Sequence, residues 1–411
     1  MRKILFIITI VSSTVTARAA SGGSAYSLFG IGDIGYVPSA VSQGMGYTGI
    51  GLPGATSING IQPAAWTPMS RVRVDAGLLY EGFKSSDESR SHYLANTNFN
   101  GALLAIPIST GQGIVTVLGF VPYSNVDYNI FVDGSQRGVN YQLNSSGTGG
   151  ISRGLAGLSY SPFPNLALGA SFNYLFGTID RTTIFSPSDP SLYIGGTSTQ
   201  TMSLHGITIT LGGMFNGFGN ISESLKPFSL GFVLTTGGNL KTQTETDYNF
   251  LSELDTIPSG NGRLSIPFAY GFGLGYQPGE RYLLAVDYYA QQWGNATVNG
   301  VHPPDIRNSY RLGIGAQQVP ARDARWWFAR LVYRMGFYYH STYYQIDGEP
   351  INEWGITGGL GIPLFGDTRL NSALEYGGRG TMNNGLVKDR IIRVTFSLSL
   401  SELWFQRYEE D

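Results

Sequence analysis

The chain has 411 residues, with 57 glycines, 13% aromatic and 13% charged residues, no cysteine and a net charge of −2. Its charged fraction is about half the roughly 25% of an ordinary soluble domain, and its glycine about twice the usual share. These values exclude a disulfide-stapled module, a cysteine-ligated metal site and a charge-rich disordered chain, and they give no basic face for nucleic acid.

Arg2 and Lys3 precede the apolar run Leu5-Phe6-Ile7-Ile8-Thr9-Ile10-Val11, and small residues follow, ending at Ala17-Arg18-Ala19. A charged start, a short greasy stretch and an A-x-A site read as a signal peptide over residues 1–19, cleaved after Ala19. The run is too short to cross a bilayer core, which takes about 20 helical residues. Residues 20–70 are rich in Gly, Ala, Ser and Pro and show no clean period. Tyr26, Leu28, Phe29, Ile31, Ile34, Tyr36, Met45, Tyr47, Ile50 and Trp66 nonetheless need burial there, so the segment reads as a plug entering a lumen.

From residue 71 onward the dominant period is two. Ile392-Arg393-Val394-Thr395-Phe396-Ser397-Leu398-Ser399-Leu400 alternates apolar and polar without a break, which puts one greasy and one polar face on a strand. Strands are expected at 71–83, 97–108, 113–123, 151–162, 166–181, 202–215, 227–238, 266–277, 282–292, 308–318, 327–340, 354–363, 368–377 and 390–400. Most reach 10 residues or more, nearer the 9 to 11 that cross a membrane than the usual 5 to 6. Short turns (109–112, 163–165, 278–281, 364–367) alternate with long loops such as 124–150 and 239–265. The fold class is therefore all-β, a closed antiparallel transmembrane β-barrel of about fourteen strands with an N-terminal hatch. The barrel is expected over 71–405, with Trp404 and Phe405 in an interfacial girdle and 406–411 as a short tail. The lipid bilayer is its first partner, and both termini fall on the short-turn, periplasmic side of a diderm outer membrane.

The rows facing the lumen carry charge: Arg71, Arg73, Asp75, Asp287, Arg311, Arg330, Arg334, Arg369, Glu375 and Arg393. They suit a network that pins the plug to the wall. A guanidinium fork also suits a ligand carboxylate, and Arg330 with Arg334, expected on one face of one strand, lead as a head-group site. Phe337-Tyr338-Tyr339-His340-Ser341-Thr342-Tyr343-Tyr344 reads as an interface girdle or as a landing surface for apolar ligands. Gly30-Ile31-Gly32-Asp33-Ile34-Gly35 fits a dinucleotide string but neither follows a strand nor opens a helix. Ser203 and His205 could sit together at a barrel rim, but no third group orients them, so a lipid hydrolase is a minor alternative and the chain is read as no enzyme. His92, His205, His302 and His340 lack ligand spacing, so neither metal nor cofactor is expected.

Three stretches resemble the FadL/TodX-type outer-membrane transporters of hydrophobic compounds. They are Ser24-Ala25-Tyr26-Ser27-Leu28-Phe29-Gly30-Ile31-Gly32-Asp33, Gly44-Met45-Gly46-Tyr47-Thr48-Gly49-Ile50-Gly51-Leu52 with Ser57-Ile58-Asn59 and Gln62-Pro63-Ala64-Ala65, and Leu374-Glu375-Tyr376-Gly377-Gly378-Arg379-Gly380-Thr381. Family members usually carry Asn-Pro-Ala where Gln62-Pro63-Ala64 stands. The resemblance implies a fourteen-stranded barrel and a hatch that includes Tyr26, Phe29, Asn59, Gln62 and Pro63. It also implies capture of long-chain fatty acids or other apolar molecules outside, and passage through a lateral opening. Passive uptake of a hydrophobic small molecule is the expected function. The alternative is a non-transporting barrel subunit of an outer-membrane secretion or assembly complex, with other outer-membrane proteins as partners. A transporter needs an apolar cavity between loops and hatch and a break in wall pairing.

Overall fold

The computed structural model describes residues 20–402 except 36–38, 89, 137, 190–193, 251–252 and 321–325. The expected signal peptide, Tyr36, Trp404, Phe405 and the tail lie outside the described residues. Two short strands, β1 (Ala20–Ser21) and β2 (Asp33–Ile34), come first. The wall follows: β3 (Val72–Ser86), β4 (Ser91–Ser109), β5 (Ile114–Gln136), β6 (Val139–Phe163), β7 (Leu166–Pro187) and β8 (Gly196–Phe215). Then come β9 (Phe228–Thr235), β10 (Gly238–Phe250), β11 (Glu253–Ile266), β12 (Ala269–Tyr276), β13 (Tyr282–Gln291) and β14 (Ser309–Gln318). The last four are β15 (Val332–Ile346), β16 (Glu349–Pro363), β17 (Arg369–Arg379) and β18 (Lys388–Glu402).

Sequence neighbours pair antiparallel around the ring, and β18 closes on β3 from Lys388↔Ser86 to Glu402↔Val72. β9 and β10 are two parts of one strand interrupted at Thr236-Gly237, and β11 and β12 are parts of another, so the wall has fourteen strands. Pro267, which has no N–H to give the ladder, sits at the second interruption. Pairing β18 with β3 removes the two terminal edges that an open sheet would leave in lipid, where an unpaired backbone group finds no water. A single cross-strand row runs Leu274, Val286, Ile314, Phe337, Ile356, Tyr376 and Ile392 over β12 to β18, and every member is exposed. Only a hydrocarbon surround makes such a row favourable.

The expected long loops are mostly strand. β5, β6, β7 and β8 are 23, 25, 22 and 20 residues long and rise well past the apolar band. There the two faces exchange character. Val132, Leu143, Phe185 and Phe250 form one row on the inner face, while Asn129, Ser146, Thr182, Thr199 and Asp247 form an outer, polar row. A sheet leaving lipid for water must reverse its polarity, and this reversal hides the strand from a search for lipid-facing alternation. The segment 292–308, between β13 and β14, is the long connection at this end that carries little strand.

Residues 22–69 pack against the inner wall through a short helix, α1 (Ala40–Gln43), and two 3-10 turns at Ala25–Leu28 and Pro63–Trp66. Backbone meets backbone at Gly46, whose φ is +66°. A Cβ on Gly336 would lie 2.2 Å from its nitrogen, and one on Gly313 would lie 2.4 Å from its oxygen. Only glycine allows this approach at both surfaces. Gly336→Val is expected to leave a barrel with normal heat-modifiable mobility but to push the segment off the wall. Single-channel recording in planar bilayers checks this through a conductance above that of the unchanged protein.

Candidate functional site: the sealed lumen

Two guanidinium groups organise the lumen. Arg379, on β17, forks onto Asp33 of β2, with Nη1 2.7 Å from Oδ1 and Nη2 3.2 Å from Oδ2. It also lies 3.6 Å from both Glu353 and Asp389. Arg393, on β18, donates to Glu81, Glu353 and Glu375 at 2.7, 2.9 and 2.6 Å. Five carboxylates thus surround two cations, and hydroxyl and amide donors supply what charge does not. Tyr47 donates to Glu375 at 2.6 Å, and Gln43 Nε2 to the same oxygen at 3.1 Å. Tyr344 donates to Asp33 at 2.8 Å, and Ser24 and Ser85 donate to Asp389 at 2.5 and 2.6 Å. Tyr338 Oη lies 2.7 Å from both Glu353 and Glu375. Burial, and then the Glu375 carboxylate, hold the Tyr47 phenol well above its usual range; burial and then Asp389 push Tyr26 up to about 12. Both remain donors at neutral pH.

Other wall strands hold the same N-terminal segment. Asp287 on β13 accepts from the N–H groups of Gly49 and Ile50 at 2.6 and 2.7 Å. Asp75 accepts from Ile58 N–H at 2.5 Å, and Arg153 donates to Gly60 O at 3.2 Å. Among the expected hatch residues, Tyr26 donates to Val387 O and lies under the Arg379 guanidinium, 5.5 Å from the ring centroid. Phe29 offers its carbonyl to Tyr343 at 3.3 Å. Asn59 braces the segment internally, giving Nδ2 to Gly49 O and accepting from Ile61 and Gln62. Gln62 is fully buried and spans the β8–β9 joint, donating to Phe232 O and Gly213 O at 2.9 and 3.2 Å. Pro63 opens the second 3-10 turn, against Gly169 of the wall.

The expected head-group pair does not form. Arg330 belongs to an exposed 3-10 turn, Trp327–Arg330, ahead of β15, whereas Arg334 lies inside the strand and buried. The sequence alternation continues through Ala329 and Leu331, but the backbone turns before Val332. Arg334 instead meets Gln317 and Asn371 at the short-turn end, near Arg369. Arg311 stacks over Tyr47 at 5.3 Å, and Glu375 and Arg393 belong to the central network. The tyrosine-rich stretch alternates only as far as His340: Phe337 points outward and Tyr338 inward, but where the β15–β16 register shifts Tyr343 and Tyr344 are both buried against the N-terminal segment, Tyr343 donating to Gly32 O at 2.6 Å. Ser203 and His205 both project from the outer face, and Ser203 lies 3.4 Å from Thr178.

Residue-by-residue reading missed Asp33, Glu81, Glu353, Arg379 and Asp389. Two of them sit inside the Gly-rich motifs already singled out. Asp33 is the one charge in Ser24–Asp33, and Arg379 is the one cation in Leu374–Thr381, so an acid in one motif and a base in the other was the available signal.

Two openings accompany this seal. β4 and β5 pair only over Ala102–Ser109 and Ile114–Phe120. Beyond that point β4 stays with β3 and β5 with β6, and the wall parts into a seam. β1 runs parallel to β4 at Leu94 and Ala95, β2 pairs with β5 at Ser124 and Asn125, and Asn96 Nδ2 donates to Asp127 across the gap at 2.6 Å. Behind the seam lies a cavity of about 480 Å³ bounded by Phe99, Asn100 and Asn125 at the seam and by Glu81, Arg379 and Arg393 of the ion network on its inner side. A second cavity of about 650 Å³ lies toward the long-strand end, with Ile31, Met202, Leu264 and Trp293 in its apolar lining and Arg181, Gln200 and Asn261 in its polar one.

The BamG family profile matches residues 1–410, so the chain belongs to the BamG family. None of the curated proteins compared matches it. Among solved structures it is similar to TbuX, a toluene transporter of Ralstonia pickettii, at 15% identity and TM-score 0.61 over 89% of this chain and 98% of that one. It is similar to CymD, a monoaromatic hydrocarbon channel, at 16% identity and TM-score 0.61 over 92% and 100%. A FadL homologue of Pseudomonas aeruginosa matches at 12% identity and TM-score 0.61 over 90% and 98%. These likenesses establish the shared outer-membrane barrel fold.

Removing one partner of a buried pair leaves an uncompensated charge, a loss of roughly 3–5 kcal/mol. Arg379→Leu is accordingly expected to lower the temperature at which the folded band disappears on gels and to expose residues 22–69 to proteinase K. Ser85→Ala, which removes one of several donors to Asp389, is expected to cost only about 1 kcal/mol in the same assay.

Proposed function

We propose that this BamG-family barrel carries small hydrophobic molecules passively across the outer membrane, taking them in at the long-strand end and releasing them sideways through the β4–β5 seam. The observation that carries this reading is the seam itself, where two neighbouring wall strands part with a cavity directly behind them. The apolar inner row Val132, Leu143, Phe185 and Phe250 and the cavity at Ile31 and Trp293 supply a greasy surface on the way in. A lateral exit from the cavity behind the seam would let an apolar solute leave without crossing the packed short-turn end of the lumen. The transport of toluene and monoaromatic hydrocarbons by proteins of the same fold supports the reading. Long-chain fatty acids suit the same route, with Arg311 beside the lumen cavity as the cation for a carboxylate. In this reading both termini are periplasmic, and no covalent chemistry is involved.

A second reading has its own support: a non-transporting barrel within an outer-membrane assembly complex. The N-terminal segment is bonded to the wall on many sides, as a permanent filling would be.

The absence of native cysteine makes the test clean. With Asn96→Cys and Asp127→Cys joined by a disulfide or a short thiol cross-linker, uptake of a radiolabelled apolar probe into cells is expected to fall to background and to return when a disulfide lock is reduced. Uptake indifferent to the lock, together with stoichiometric protein partners after gentle purification, would replace transport by the second reading.

A further inference from the structure

The short-turn end of the lumen holds a basic cluster apart from both the central ion network and the seam. Arg73 on β3 is 2% exposed, and its Nε and Nη1 are buried without a hydrogen-bond partner. Its Nη2 donates to Ala55 O at 3.3 Å and to Asp367 at 2.5 Å. Asp367 stands on the turn between β16 and β17, about one-third exposed, and its other oxygen lies 3.8 Å from Arg369. Arg369 shares a cross-strand row with Asp75, separated from it by Ser399, and stands two residues before Asn371, which accepts from Arg334 at 3.1 Å. Asp75 spends one oxygen on Ile58 N–H. Arg334 is buried, and its recorded hydrogen-bond partners are the neutral amides of Gln317 and Asn371.

Three guanidinium groups therefore face two carboxylates, and one of those carboxylates belongs to an exposed turn. Buried cations are normally paired, and guanidinium forks match oxyanions with several acceptor oxygens. We infer that Arg73, Arg334 and Arg369 form an oxyanion site for a phosphate group at the periplasmic mouth, and that the Asp367 carboxylate occupies part of it when it is empty. A phosphate there would accept from Arg334 and Arg369 and take the place of Asp367 beside Arg73. Its source is either free phosphate or the headgroup of an inner-leaflet phospholipid reaching the rim. The site is independent of the uptake reading, because it lies below the N-terminal segment and away from the seam.

The full-length barrel in neutral detergent, titrated calorimetrically with inorganic phosphate, tests this directly. The parent is expected to bind saturably, Arg334→Gln and Arg369→Gln to bind at least about tenfold more weakly, and Asp367→Asn to bind more tightly. Tighter binding after Asp367→Asn is a change that a merely structural cluster would not produce. Heat-modifiable mobility confirms folding of each variant. In nanodiscs of phosphatidylcholine with phosphatidylglycerol, native mass spectrometry separates the sources. Anionic lipid retained by the parent and lost from both arginine variants assigns a headgroup, whereas phosphate binding without lipid retention assigns the free anion. No saturable binding of either probe, or binding unchanged in both arginine variants, overturns the site.

Discussion

The salt bridge between Asp33 and Arg379 ties the two ends of the chain together across 346 residues. It draws Glu353 and Asp389 around one guanidinium, and Glu353 passes the network to Arg393. A buried cluster of this kind is not an efficient source of stability, since desolvating each ion costs several kcal/mol. Its value is specificity: only one placement of the N-terminal segment satisfies every carboxylate at once. The position of α1, the burial of Tyr26 and the filling of the seam by β1 and β2 all follow from that placement.

Glycine makes the placement geometrically available. Residues 44–51 lie so close to the wall that Gly46 and Gly51 touch the backbones of β9, β12, β14 and β15. A wall of larger residues would keep the carboxylates and their donors beyond hydrogen-bond range. Low charge, dense glycine and abundant aromatic residues are thus parts of one solution. The outer face is apolar for lipid, the inner face is small enough to admit a packed segment, and the few charges are gathered where they can pair.

The wall was largely legible. All fourteen expected strands are present, because a face turned to hydrocarbon forces strict alternation, as in Ile392 to Leu400. The strand extensions beyond residue 123 in β5 and before residue 151 in β6 were not legible, since above the lipid the apolar residues move to the inner face. Arg334, Glu375, Arg393 and Arg311 do point inward, but Arg330 does not, because alternation in sequence continued past the point where the backbone leaves the sheet. Tyr343 and Tyr344 resembled girdle residues because their partners lie more than 300 residues away in sequence.

Local patterning alone specified a membrane-crossing closed barrel of about fourteen strands, since period and strand length are properties that lipid enforces residue by residue. It also marked an apolar, glycine-rich beginning that could not remain in water. Which carboxylate meets which guanidinium, where the wall parts between β4 and β5, and which cations end without a full partner were decided only when the ring closed. These are relations between residues distant along the chain, and no local period encodes them. The 57 glycines and the 13% of charged residues are therefore a record of the barrel, whereas the pairing of those charges belongs to the fold.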